Sequence, residues 1–200
     1  VVGMSVDIPN DARLLTVCGS LQDRSANRAA LEAASAAAVA AGSATLHIDY
    51  SADYSKGVSG IGRVVVGDDA YAFTQMEPIE ARRAFPGFDD PQFKTPFELT
   101  VIAREGDKVV ANAPLASAQP TGNGFVRHRF APTLPLPTYL VALAVGPLDV
   151  VEGQPIPARS VGRTPIPQRG VATRGQGPKL ARALAHTPDI MLALEDYFGI

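Results

Sequence analysis

Two hundred residues, 46% hydrophobic and 19% charged, suffice for one domain or two small ones with a packed core, which argues against wholesale disorder. Eighteen Lys and Arg against 20 Asp and Glu leave a net charge of −2, so a basic nucleic-acid or anionic-membrane binder is not expected. No apolar run reaches the roughly 18 residues of a membrane span, and the single cysteine, Cys18, excludes a disulfide framework and a multi-cysteine metal site.

The first predicted strand is Arg13–Gly19 (RLLTVCG), a short apolar run rich in β formers. A tight loop follows. Residues 25–41 then hold ten alanines in seventeen positions, uninterrupted by Gly or Pro, which predicts a helix capped by Ser25 and ended at Gly42. Residues 13–42 thus read as strand, loop and helix. From Thr45 the texture changes to short alternating runs. Strands are predicted at Thr45–Tyr50, Gly62–Val66, Tyr71–Thr74, Phe97–Arg104, Lys108–Ala111, Phe125–Ala131 and Thr138–Val150, separated by turn clusters such as Pro120–Gly124. Fifteen of the 17 prolines fall from Pro78 to Pro178, which disfavours long helices there and points to an antiparallel sandwich or sheet. A short helical turn is predicted at Ile79–Ala84. Residues 152–169 are rich in Pro, Gly and Arg and read as a linker or surface excursion. Gly177–Phe198 carries apolar residues at helical spacing, with a kink or restart expected at Thr187-Pro188.

Two stretches carry chemistry. In Gly19–Asn27 the backbone N–H groups of a helix start face outwards and favour an anion, and Ser20, Ser25 and Asn27 add side-chain donors. Ser25 also serves simply as the helix cap. The phrase V-C-G-S-L-x-x-x-S-x-N-R resembles the phosphate loop of NADPH-dependent FMN reductases, over residues 12–42. That resemblance implies contacts from Ser20, Ser25 and Asn27 to the FMN phosphate. No further strand-helix-strand pattern follows to complete a doubly wound sheet.

The second stretch is Tyr71–Pro78. A strand ending at Thr74 presents Gln75 and Glu77 at its tip, where a carboxylate suits a cation. Arg82, Arg83, Asp89, Asp90 and Lys94 crowd within thirteen residues and read as a structural ion-pair network. The wording T-Q-M-E-P-x-x-A-R-R-A-F-P-G-F-D-D-P-x-F-K resembles the M1 metallo-aminopeptidases. Gly60–Arg63, Ala111–Pro114, Leu136–Gly146 and Ala181–Ile200 match further phrases of that family in order, over about residues 44–200. Gly62, Gly87 and Asp90 depart from its usual residues. The resemblance implies an N-terminal β domain in which Gln75 and Glu77 hold the free α-amino group of a peptide. It also implies a zinc centre in the complete enzyme. The family's G-x-M-E-N loop and HExxH helix are not in this sequence, and His47, His128 and His186 are not spaced to replace them.

The expected architecture is mostly β with flanking helices. It comprises an incomplete antiparallel β-sandwich of the M1 N-terminal type, an N-terminal strand-loop-helix and a C-terminal helix. The expected segments are 1–43, 44–165 and 166–200. The expected function is that of a fragment of a zinc metallo-aminopeptidase, without independent peptidase activity. The zinc belongs to the complete enzyme, and the peptide N-terminus is the partner. Flavin reduction with FMN and a non-catalytic β-rich interaction module are the alternatives. Unpaired sheet edges invite self-association. Val1–Asn10 lacks a basic stretch before an apolar run, so no secretory signal and a cytoplasmic location are expected. His128, between two arginines, is expected on an exposed strand face.

Overall fold

The computed structural model describes residues 5–7, 45–47, 52–55, 57, 59–87, 89–159 and 164–199. The predicted strand at 13–19, the Gly19–Asn27 loop and the alanine-rich helix lie outside the described residues. Two compact units are present, Val1–Gly146 and Pro147–Ile200.

The first unit is antiparallel throughout its named strands. Strands β1 (Ser5–Asp7) and β2 (Thr45–His47) pair with each other. Strands β3 (Gly60–Val66) and β4 (Asp69–Gln75) form a hairpin across Gly67-Asp68, in register from Gly60↔Gln75 to Val66↔Asp69. Its other described strands are β5 (Thr100–Arg104), β6 (Lys108–Ala111), β7 (Leu115–Gly122), β8 (Phe125–Phe130) and β9 (Leu143–Gly146). They assemble as a four-stranded sheet, β3-β4-β9-β6, and a three-stranded sheet, β5-β8-β7. The β7–β8 turn is Asn123-Gly124, both at positive φ (54° and 75°), the conformation a two-residue hairpin loop demands.

Alternation drives the layering. Along β5, Val101 and Ala103 are buried while Ile102 and Arg104 face solvent. Val101 and Phe130 from one sheet meet Ala111, Val109, Leu143 and Val145 from the other. A second apolar cluster gathers Met76, Ala81, Ala84, Phe85, Phe97 and Val141. Leu99 packs against both clusters. This is the mostly β, antiparallel architecture expected from the sequence.

Gly146 ends β9 at φ +146°. A Cβ there would stand 2.7 Å from Cδ1 of buried Tyr71 and 2.9 Å from the Ala70 carbonyl oxygen, so only glycine fits.

The second unit holds strands β10 (Leu148–Glu152) and β11 (Arg169–Thr173), paired antiparallel, and helix α1 (Ala181–Phe198). The predicted single strand at Thr138–Val150 is instead a 3-10 turn at Thr138–Leu140 followed by β9 and β10, because Gly146-Pro147 interrupts the run. The Pro-rich stretch is not a free linker in its described part. Gly153 N–H donates to the Gln168 carbonyl, and Ile156 and Ile166 exchange both backbone hydrogen bonds. The β10–β11 pairing therefore continues outwards past Glu152. Side-chain amide Nε2 of Gln168 donates to the carbonyls of Gln154 (2.7 Å) and Leu184 (2.9 Å). Helix α1 runs continuously through Pro188, without the expected restart. No helix among the described residues is long and apolar enough to cross a membrane.

Candidate functional site

The tip of β4 is built by one buried residue between two exposed ones. Met76 is 3% exposed and sits in the second apolar cluster. Gln75 is the last residue of β4, and Glu77 lies in the turn that follows it. Both are exposed. Among the described residues neither side chain has a hydrogen-bond or ion-pair partner. Both predicted site residues are thus exposed at the end of β4, one on the strand and one in the turn after it.

The tip is tied on each flank. Backbone pairing of β4 with β9 covers Ala72↔Val145 and Phe73↔Ala144. At Thr74 the hydroxyl takes over, accepting from the Leu143 N–H at 2.8 Å. Beyond Glu77 the chain turns through a cis Glu77–Pro78 peptide, and the Glu80 N–H donates to the Met76 carbonyl at 2.7 Å. A 3-10 turn at Ala81–Arg83 follows, with Ala81 buried and Arg83 ion-paired to Glu80.

Asp89 holds that turn. It is 2% exposed, a position a carboxylate occupies only when its oxygens are satisfied. Oδ2 accepts from Nε of Arg82 at 2.6 Å and from the Arg82 backbone N–H at 3.3 Å, while Oδ1 accepts from the buried Thr138 hydroxyl at 3.0 Å. The crowded charges therefore resolve into specific partners. Arg82 takes Asp89, Arg83 takes Glu80, and Asp90 accepts from the backbone and side chain of Gln92. Sequence reading treated Asp89 as one member of a surface network and gave Thr74 and Thr138 no part. The signal was available only in three dimensions, since Asp89 and Thr138 lie 49 residues apart.

Among the described residues the remaining titratable groups form no comparable site. His128 lies on β8 opposite Val101, on the face shared with Phe130, and both ring nitrogens are buried without a hydrogen-bond partner. The expectation of an exposed His128 is corrected here, because its strand position falls on the inward side of the alternation. Burial pushes its imidazole below the usual value. In the second unit Arg159 pairs with Asp196 and, at 3.6 Å, with Glu195. The Arg159 hydrogen bond holds the Asp196 carboxyl below its usual range. Ser20, Ser25 and Asn27, the expected FMN-phosphate contacts, lie outside the described residues. Among the described residues no group of three or more His, Cys, Asp or Glu comes together as a metal donor set.

Comparison with known proteins gives a consistent answer. The family model described as the peptidase M1 N-terminal domain matches residues 16–140. Aminopeptidase N of Acetobacter pasteurianus is 37% identical over 142 residues, 66% of this chain and 38% of that protein. Aminopeptidase N of Streptomyces lividans is 38% identical over 112 residues, 52% of this chain and 12% of that protein. Endoplasmic reticulum aminopeptidase 1 of Homo sapiens is 35% identical over 80 residues, 40% of this chain and 8% of that protein. The aligned chain thus spans well under half the length of each of these relatives. The family match starts at residue 16 and so includes the Gly19–Asn27 loop, and the flavin-reductase resemblance gains no support from these comparisons.

Proposed function

This chain belongs to the peptidase M1 N-terminal domain family, and from that membership we propose that it supplies substrate recognition to a zinc metallo-aminopeptidase. In this reading Gln75 and Glu77 hold the free α-amino group of a peptide, the Glu77 carboxylate facing the ammonium and Gln75 orienting it. One observation carries the reading. Two exposed polar side chains flank buried Met76 at the end of β4, and Glu77 has no internal partner among the described residues.

Magnitudes set what the chain does alone. An ammonium 4 Å from a carboxylate gains about 1 kcal/mol in water and about 4 kcal/mol at the effective dielectric of a partly closed site. Recognition by this chain is therefore weak in isolation and strong where further protein covers the tip. The donor sets present among the described residues do not fit a zinc ion, so no hydrolytic step is routed through them. The chain is assigned recognition and no peptide turnover of its own.

The test is an NMR titration of the 200-residue chain with leucinamide and with N-acetyl-leucinamide. Shifts at Gln75 and Glu77 are expected with the free amine alone, and Glu77→Gln abolishes them. Equal response to both compounds overturns the reading.

Exposed sheet edges favour a second reading, self-association. Val64, Val65 and Val66 stand 48–54% exposed on β3, an outer strand of the four-stranded sheet. Concentration-dependent sedimentation, removed by Val65→Lys, supports it. A monomer at every concentration ends it.

A further inference from the structure

We propose that Asp89 is a positioning residue that fixes the backbone turn carrying Glu77. The inference rests on the reading of Glu77 as the ammonium anchor.

The argument begins with a closed circuit around the strand tip. From Thr74 the hydroxyl reaches the Leu143 backbone. Five residues earlier on that strand's approach, the Thr138 hydroxyl reaches Asp89. Asp89 in turn holds both the side chain and the backbone of Arg82. Two residues before Arg82, the Glu80 N–H returns to the Met76 carbonyl. The ring runs through Gln75 and closes, from Met76 to Glu80, across the turn that carries Glu77. One arm enters through β9 and the other through the 3-10 turn, and Asp89 joins the two.

Stability alone is a poor reason for a carboxylate in that place. Its cation is only partly buried, with the Arg82 side chain 34% exposed. A buried ion pair recovers little beyond its desolvation cost, and an apolar replacement of equal volume often serves as well. A carboxylate with three donors from two separate segments does something an apolar group does not. It sets their relative orientation through directional, charge-assisted bonds. Glu77, on the turn so held, needs such control, because displacing an anchoring group by about 1 Å loses most of its contribution to orientation.

The test uses amide hydrogen exchange on the 200-residue chain, followed by NMR. In Asp89→Ala and in Thr138→Val, exchange at Glu80 and Leu143 is expected to quicken about tenfold. Phe130, bonded to the Leu99 carbonyl in the other sheet, is the reference and keeps its rate. Thr138→Ser retains the hydroxyl and restores wild-type exchange, which keeps the test valid if Asp89→Ala does not fold. The leucinamide response of Glu77 weakens several-fold in Thr138→Val and returns in Thr138→Ser. Equal acceleration at all amides, or none at Glu80 and Leu143, overturns the inference. Local acceleration in a protein whose wild type ignores leucinamide leaves the positioning device standing and removes the recognition reading instead.

Discussion

Gln168 donates its side-chain amide to the Leu184 carbonyl, the acceptor that Pro188, four residues on, leaves without a helix donor. A proline inside a helix removes one hydrogen bond and crowds the carbonyl four residues back. Here a side chain from the residue before β11 fills the vacancy, and the helix continues. The same amide binds the Gln154 carbonyl, so it links the β10–β11 excursion to α1.

The first prediction concerns this clamp. Gln168→Ala leaves two carbonyls without their donor and lowers stability by about 1–3 kcal/mol in urea unfolding. Restoring the helix donor with Pro188→Ala makes the Gln168→Ala loss smaller. Gly153→Ala acts through the same amide, since its Cβ would lie 2.6 Å from Cγ of Gln168. Combining Gly153→Ala with Gln168→Ala therefore costs less than the two single losses added.

Gly146 gives a sharper prediction. Gly146→Ala adds strain at φ +146° to a collision with Tyr71 and the Ala70 carbonyl, and lowers stability by about 2–4 kcal/mol. Gly106→Ala is the control. It shares a positive φ, 92°, but its Cβ meets open space, so it costs only about 1 kcal/mol. Thermal unfolding of the pair separates strain from collision.

His128 predicts a pH dependence. Its imidazole is depressed by burial, so the unfolded chain binds a proton more readily than the folded one. Stability is then fully present above the unfolded value of 6.5 and is lost as pH falls through that value towards the folded one. His128→Val removes the unpartnered nitrogens, raises stability and flattens the profile between pH 5 and 7. Urea midpoints across that interval check the slope.

Glu77 and Asp89 both act on recognition but predict different outcomes for stability. Glu77→Gln leaves the melting temperature unchanged, because its side chain is exposed and unpaired among the described residues. Asp89→Ala lowers stability by about 1–3 kcal/mol, because the Arg82 and Thr138 donors lose a buried acceptor. Calorimetry on the two variants distinguishes a surface contact from a supporting one.

The strands that carried alternation and firm turn signals were legible in sequence. Lys108–Ala111 lies between Asp107 and Asn112 and forms β6 with those bounds. Strand β7 was not legible. Its sequence, LASAQPTG, carries small residues, a proline and Leu115 as its one large apolar residue, because it is an exposed edge whose hydrogen bonds come from β8. Strand β11 was hidden for a related reason, since β10 supplies its ladder partner beside a Pro-rich segment. The exposure of Gln75 and Glu77 followed from their places on either side of Met76. The support beneath them did not, because Thr74–Leu143 and Asp89–Thr138 join residues 69 and 49 positions apart.

The sunken Met76 also polices how β4 assembles. A slip of one residue against β3 would turn every side chain of the strand over. Gln75, its last residue, would turn inwards without a partner, and Met76 just beyond it would be drawn from the apolar cluster at a cost of about 1.5–3 kcal/mol. The misregistered hairpin is thus penalised at two adjacent residues. The Gln-Met step that ends the strand also proofreads it.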